Sequence, residues 1–178
     1  MHVMPHAGVG KGLKGQGMTY AYRTLASPVG ELTLVACEAG LAAVLWQDDD
    51  PRRVPMGQRT ERGDHPALEE AGRQLNEYFA GQRETFDLPL HFKGTDFQKS
   101  VWTALLTIPF GETRSYADIA RQIGRPSACR AVGAANGRNP ISIIAPCHRV
   151  VGANGALTGF AGGLKAKSYL LGLERKFL

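Results

Sequence analysis

The sequence predicts an α+β protein with strands and one helix in its first half and several short helices in its second. In the first half, apolar residues alternate along neighbouring segments, which is typical of strands with one buried face. In the second half, apolar residues recur every three or four positions between capping and glycine signals. The 178 residues are enough for two small domains. We place the boundary at Gly94, which gives domains over 18–92 and 93–178.

The domain over 18–92 begins with a hairpin whose two strands are joined by a Glu-Ala-Gly turn. A segment rich in proline, glycine and charge follows it, and then a helix with Pro66 in its first turn and Gly81 after its end. No group of reactive side chains occurs here, so we expect this domain to act as a scaffold. The predicted elements are strands over 31–37, 41–46 and 85–90, a loop over 48–64 and a helix over 66–80.

Four helices are predicted in the domain over 93–178. Ser115 and Asp118 have the spacing of a capping box, and Ser127 stands where it can cap the next helix after Gly124-Arg125-Pro126. Two short helices joined in this way predict a helix-turn-helix, although many helical hairpins have the same pattern. The helices are expected over 95–107, 116–123, 128–136 and 165–174.

Charge differs strongly between the two domains. Residues 18–92 carry 7 basic and 12 acidic residues, whereas residues 93–178 carry 12 basic and 4 acidic residues. A basic surface is often only solvated. A surplus of basic residues that is confined to one domain indicates a polyanionic partner, because phosphate neutralisation supplies most sequence-independent affinity for DNA.

A thiol stands directly beside an imidazole at Cys147 and His148, after the apolar run 141–145. Pro146 has no N–H to donate, so we expect strand pairing to stop there. Cysteine attacks as the thiolate, and a neighbouring histidine or Arg149 can lower the pKa of the thiol. A lone cysteine in an apolar run is usually a core residue, but the adjacent polar side chains favour a nucleophile.

The run from Pro146 to Val151 resembles the active-site signature of the O6-alkylguanine-DNA alkyltransferases, also called methylated-DNA–protein-cysteine methyltransferases. The resemblance covers everything after about residue 18, in the family's order. It implies a ribonuclease-H-like first domain and a winged-helix-like second domain. The further matching segments are Ser27-Pro28-Val29-Gly30, Gly94-Thr95-Asp96-Phe97-Gln98, Ile108-Pro109-Phe110-Gly111-Glu112-Thr113, Ser115-Tyr116, Arg130-Ala131-Val132-Gly133, Asn139-Pro140, Gly162-Gly163-Leu164 and Glu174.

This resemblance implies direct reversal of O6-alkylguanine, and of O4-methylthymine, in duplex DNA. Cys147 would accept the alkyl group irreversibly, His148 would take its proton through a water, and Glu174 would orient the imidazole. The sequence pattern alone is also compatible with Glu174 as a surface charge on the last helix. Nothing in the sequence provides for release of the alkyl group, so each molecule is expected to react once.

The helix over 128–136 has small side chains and the single cation Arg130. Small residues allow close approach to the minor groove, although tight helix packing also explains them. The resemblance makes Arg130 the side chain that replaces a flipped nucleotide, and Tyr116 a donor to the base, with a structural tyrosine as the alternative. Further DNA-binding candidates are Ser115, Ala128, Ala131 and Gly133.

Pocket residues are implied around the cysteine. Asn139 resembles a hinge asparagine, although Asn-Pro is also a common turn pair. Phe160 departs from the tyrosine of many relatives, and Asn136 lies where relatives vary, which leaves the preferred alkyl size open. Val150 and Ala161 would contribute main-chain atoms.

Neither a metal nor an organic cofactor is expected, because the damaged DNA is the alkyl donor and the three cysteines are too scattered for a zinc site. No apolar run is long enough to span a membrane, so the cytoplasm is the expected location. The expected partner is duplex DNA, bound by one or several monomers. Residues 1–17 have no signal-peptide pattern and are expected to be a disordered tail or an extension.

Three other functions fit parts of the pattern. A non-enzymatic lesion sensor would lack Cys147. A helix-turn-helix regulator would need base-reading side chains over 128–135. A cysteine hydrolase would need an oxyanion hole. Methylation of Cys147 by damaged DNA distinguishes all three from the alkyltransferase.

Overall fold

The computed structural model describes residues 18–177, so the expected tail over 1–17 lies outside the described residues. Strands β1 (Tyr20–Leu25), β2 (Leu32–Cys37), β3 (Gly40–Leu45) and β4 (Arg59–Glu61) form one sheet in the order β3-β2-β1-β4. The first three strands pair antiparallel, and β4 pairs parallel to β1. The predicted hairpin is therefore present as β2 and β3.

Helix α1 (Pro66–Phe79) packs on the sheet through an apolar face that includes Leu68, Leu75 and Tyr78, all of them buried. His65 caps it by accepting a hydrogen bond from the N–H of Ala67. This face is buried in a core cluster that holds residues of β2 and also Ile141, Ile143 and Leu170 from the second half of the chain. The prediction of a helix over 66–80 is confirmed.

Two parts of the first domain differ from the sequence prediction. The expected strand over 85–90 is wrong: only Leu90 pairs, in a single bridge to Leu41, because Pro89 offers a carbonyl but no N–H. The expected loop over 48–64 contains β4, whose exposed polar residues give no apolar alternation. The strand β1 was not predicted.

The second domain contains α2 (Asp96–Leu105), β5 (Arg114–Ser115), α3 (Tyr116–Gln122), α4 (Cys129–Gly137), β6 (Val150–Val151) and α5 (Leu164–Lys176). Helix α3 has the capping box expected of Ser115 and Asp118, and α2 has one between Thr95 and Gln98 that was not predicted. The cap predicted for α4 is wrong: a turn from the Arg125 carbonyl to the Ala128 N–H moves the helix start past Ser127, and Ala128 occupies the cap position.

We expected strand pairing to stop at Pro146. The structure has a single 3₁₀ turn over Cys147–Arg149 at this point. Pairing then resumes, since β6 lies parallel to β5. The turn lies between two buried segments, and every residue over 141–151 is buried. The α+β architecture with a sheet domain followed by a helical domain is confirmed, while the boundary at Gly94 stays a prediction.

Candidate active site and nucleic-acid surface

Asn139 organises the segment that leads from α4 to the cysteine. Its side-chain amide donates to the Ala145 carbonyl at 2.8 Å, and its side-chain oxygen accepts from the Ile141 N–H at 3.0 Å. The backbone of Ile143 within this loop has φ of 73°, which is strained for a β-branched residue. Asn139 thus fixes both ends of a tight buried loop that delivers the thiol.

Cys147 is a free thiol, 3 % exposed, in the apolar cluster formed by α2, α3 and α4. Burial raises the pKa of this thiol, which outweighs the opposing effects of Asn139, Arg53, Ser142 and Lys167. The expectation that His148 and Arg149 lower the pKa is therefore wrong for the free protein. Both of those side chains are directed at Glu174 instead.

His148 and Glu174 form a buried pair. The imidazole Nε2 lies 3.0 Å from one carboxylate oxygen of Glu174 and 3.2 Å from the other. A carboxylate can only accept, so Nε2 carries a proton and Nδ1 is left as an acceptor. Nδ1 is buried and has no hydrogen-bond partner among residues 18–177. Burial lowers the pKa of His148 against the opposing effect of Glu174, which favours a neutral ring.

Arg149 is the member of this network that sequence reasoning did not place. Its Nε donates to Glu174 at 2.7 Å, and its Nη1 donates to the Ile108 carbonyl at 2.6 Å. Burial raises the pKa of Glu174, but hydrogen bonds from His148 and Arg149 outweigh it and hold that pKa below its usual value. The carboxylate is therefore ionised, and Glu174 is buried rather than a surface charge.

Lys167 of α5 is also buried and was not predicted. Its Nζ donates to the Val150 carbonyl at 2.6 Å and lies 5.9 Å from the centre of the Phe160 ring. Burial lowers the pKa of Lys167, and Cys147 opposes that shift. The available signal was its spacing of three residues from Leu170 and seven from Glu174, which places Lys167 on the buried face of the helix.

The first domain approaches the site more closely than a scaffold would. The indole N–H of Trp46 donates to the Ser142 hydroxyl at 3.2 Å, and Arg53 donates to the Asn139 carbonyl at 2.8 Å. The buried Tyr78 ring lies 6.3 Å from Phe110, and its hydroxyl has no hydrogen-bond partner among the described residues. These contacts join segments far apart in sequence, which no local pattern indicates.

Four of the six residues predicted to bind DNA gather on one face of α3 and α4. A shallow depression of about 370 Å³ is lined by Tyr116, Arg130 and Gly133, together with the helix cap Ser115. The Tyr116 hydroxyl shares a 2.6 Å hydrogen bond with Thr158. Arg130 is exposed and makes no ion pair within the described part of the chain. A cation is thus displayed on a nearly flat surface.

The remaining predicted residues occupy varied positions. Ala131 is exposed beside Arg130, while Asn136 is buried with its side-chain oxygen lacking a hydrogen-bond partner among residues 18–177. Phe160 packs against the cluster that contains Cys147 and Val150, whereas Ala161 is exposed. Across the described residues, no three His, Cys, Asp or Glu side chains converge on a possible metal site. No helix over 18–177 is long and apolar enough to cross a membrane.

Comparisons with known proteins identify the family of the chain. The family model for the 6-O-methylguanine DNA methyltransferase ribonuclease-like domain matches residues 20–92, and the model for the DNA binding domain of the same family matches residues 96–176. The methylated-DNA–protein-cysteine methyltransferase of Mycobacterium bovis is 54% identical over 156 residues, which are 86% of this chain and 92% of that protein. The constitutive enzyme of Bacillus subtilis is 51% identical, over 86% of this chain and 94% of its own length.

Among solved structures, that of Mycobacterium tuberculosis OGT in complex with DNA matches with a TM-score of 0.81 and 52% identity. The match covers 88% of this chain and 94% of that chain. The methyltransferase of Pyrococcus kodakaraensis, at 17% identity and a TM-score of 0.51, shares the fold alone. Both domain models and relatives above 50% identity cover most of the sequence, so this chain belongs to the 6-O-methylguanine DNA methyltransferase family.

Proposed function

We propose that this protein, a methylated-DNA–protein-cysteine methyltransferase by family, repairs O6-alkylguanine in duplex DNA by transferring the alkyl group to Cys147. The proposal rests on one continuous segment, which runs from α4 through Asn139 to the loop that holds Cys147. Helix α4 displays Arg130 to solvent and runs directly into Asn139, which is hydrogen bonded to the loop that holds the buried thiol. A DNA-facing surface and a nucleophile are thereby held by one continuous piece of chain.

Nucleotide flipping is the step that joins these two features. An alkyl group on guanine O6 lies inside the duplex, and Cys147 is buried in the protein, so the base must leave the stack. Turning the base out costs about a few kcal/mol, and less for a damaged pair. The small side chains of α4 favour approach through the minor groove, and Arg130 is positioned to occupy the vacated place.

The transfer itself is a displacement at carbon. The thiol proton passes to His148 Nδ1 through a water, and the sulfur forms a bond to the alkyl carbon as the carbon–O6 bond breaks. The electron pair of that bond goes to the base, and a proton equivalent to the one that the thiol gave to His148 ends on N1, so that guanine and a neutral imidazole result. Glu174 holds the imidazole by its Nε2 proton at 3.0 Å, and the Tyr116 hydroxyl donates to the base ring.

Burial of the thiol supports the role given to His148. With its pKa raised by desolvation, Cys147 is protonated at neutral pH, so a base must act during the reaction. The unpartnered Nδ1 of a neutral imidazole is suited to this task. The resulting thioether has no route to hydrolysis, so the protein reacts once. O4-methylthymine, which carries its alkyl group on an equivalent oxygen, is a second expected substrate.

Peptide mass spectrometry after reaction with a duplex containing one O6-methylguanine tests the proposal. We expect one methyl group on the Cys147 peptide and none on Cys37 or Cys129, with no second turnover when DNA is in excess. Cys147→Ala should keep duplex binding and lose transfer. Binding of the lesion without transfer by the unaltered protein would favour a lesion sensor, and a methyl group on another cysteine would overturn the mechanism.

A further inference from the structure

Tyr116 and Thr158 share a hydrogen bond whose direction decides what the Tyr116 hydroxyl can do. The two hydroxyl oxygens lie 2.6 Å apart, and either hydroxyl can be the donor. Neither hydroxyl makes another hydrogen bond to residues 18–177. Each hydroxyl carries one proton, so the donor of this bond has none left for a second acceptor, whereas its partner keeps its own proton free.

The fold brings these two residues together from separate segments. Tyr116 directly follows β5, and β6, which pairs with β5, leads into the loop that carries Thr158. A turn reverses this loop: the Gly152 N–H donates to the Ala156 carbonyl at 2.9 Å, and Gly155 has φ of 79°, which glycine adopts readily. The shared hydrogen bond therefore joins the start of α3 to the loop after β6.

Buried Lys167 of α5 restrains both ends of the same loop. Its Nζ donates to the Val150 carbonyl at 2.6 Å and, more weakly, to the Thr158 carbonyl at 3.5 Å. These bonds hold the backbone of Thr158, so its hydroxyl meets Tyr116 from a fixed position.

The Tyr116 ring is held by contacts that do not involve its hydroxyl. The ring packs against the apolar cluster that contains Cys147, and a side-chain carbon added at Gly133 would lie 3.9 Å from it. Removal of the Thr158 hydroxyl should therefore leave the ring in place and change only the direction of the Tyr116 proton.

We propose that Thr158 is a positioning residue of the transfer reaction: its hydroxyl donates to the Tyr116 oxygen and leaves the Tyr116 proton free to be donated to the base ring. This inference rests on the proposed function, in which Tyr116 is that donor. The opposite direction would engage the Tyr116 proton with Thr158 and withhold it from the base. Acceptance of a hydrogen bond also makes the Tyr116 hydroxyl a stronger donor, because hydrogen bonds in a chain polarise one another.

The test is the single-turnover rate of transfer from a saturating duplex that contains O6-methylguanine. We expect Thr158→Val, which keeps the shape of the side chain and removes its hydroxyl, to slow transfer about fivefold through the loss of one hydrogen bond. Tyr116→Phe should slow transfer at least as much, and the double variant should be no slower than Tyr116→Phe. Thr158→Ser, which keeps a hydroxyl, should restore the rate of the unaltered protein.

Base analogues distinguish this role from a purely structural one. Replacement of the ring nitrogens N1, N3 and N7 of the lesion by C–H, one at a time, gives three duplexes, one of which lacks the acceptor for Tyr116. In that duplex the unaltered protein and Thr158→Val should transfer at the same rate, because neither can form the hydrogen bond to the base. An equal effect of Thr158→Val in all the duplexes would mean that the hydroxyl only holds the loop, and the proposal would fail.

Thr107→Val is the matched control, because it removes a threonine hydroxyl that accepts from the side-chain amide of Gln122 at 2.9 Å, at the end of α3. It should leave the transfer rate unchanged. An unchanged rate in Thr158→Val, or a larger loss than in Tyr116→Phe, would overturn the proposal. Peptide mass spectrometry separates this failure from that of the function: methyl on Cys147 with either result refutes only the role of Thr158, whereas methyl elsewhere refutes the acceptor.

Discussion

The two regions to which we assign chemistry and DNA binding are built in opposite ways. The network of His148, Arg149 and Glu174 is almost completely buried, and every charge in it is paired. The face around Arg130 is exposed, nearly flat and without an ion pair on that arginine in the part of the chain that the structure describes. Chemistry requires groups whose orientation is fixed beforehand, whereas binding of a polyanion requires charge that is free to meet phosphate.

The largest effect that sharpens this comparison is expected from Glu174→Ala. The substitution leaves Arg149 and His148 buried without their carboxylate, and breaking such a pair costs about 3–5 kcal/mol. The free energy of unfolding in urea measures the loss. Asp50→Ala, which removes an exposed partner of Arg52, is the control and should change stability far less. Equal effects of the two substitutions would mean that the buried network does not stabilise the fold.

An intermediate effect is expected from salt. The basic surplus of the second domain predicts that affinity for undamaged duplex falls about a hundredfold between about 50 and 200 mM salt, through release of counterions. Fluorescence anisotropy with labelled duplexes of several sequences measures this slope. Transfer to Cys147 from a saturating duplex should depend on salt far less, because the reacting groups are buried. A flat salt response, or a strong preference for one sequence, would favour a regulator.

The smallest effect is expected from Gly133→Ala, on the side of α4 that we propose faces DNA. An added carbon would lie 3.9 Å from the Tyr116 ring, an ordinary contact, so the helix should gain about 0.5–1 kcal/mol. Duplex binding should nevertheless weaken, because the methyl group thickens the surface that approaches DNA. Gly172→Ala in α5, where nothing lies within 4 Å, should stabilise without weakening binding. Unchanged binding in Gly133→Ala would show that DNA does not approach α4 this closely.

The same contrast explains what the sequence could predict. Local signals identified α1, the capping box of α3, and the hairpin of β2 and β3, because each depends on residues within a few positions of one another. The resemblance supplied Glu174 together with Cys147 and His148, and the structure brings His148 and Glu174 into contact.

Contacts between residues far apart in sequence could not be predicted from local signals. Trp46 meets Ser142 across 96 positions, and Arg53 meets Asn139 across 86, so neither has a periodic or capping signature. The strand β4 was missed because its residues are polar and exposed, and the expected strand over 85–90 failed because Pro89 cannot donate. The raised pKa of Cys147 was missed because burial dominates it, while the adjacent His148 and Arg149 are directed at Glu174.

The separation of the two surfaces is tested most directly by single-turnover transfer rates from two substrates: duplex O6-methylguanine and the free base O6-benzylguanine. We expect Arg130→Ala to slow transfer from the duplex tenfold or more, because the variant lacks the side chain that would hold the DNA duplex open. The rate of transfer from the free base should not change. His148→Ala should slow both by the same factor of about a hundred, since it acts on the thiol. Equal losses on both substrates for Arg130→Ala, or a loss confined to the duplex for His148→Ala, would contradict the assignment of binding and chemistry to separate surfaces.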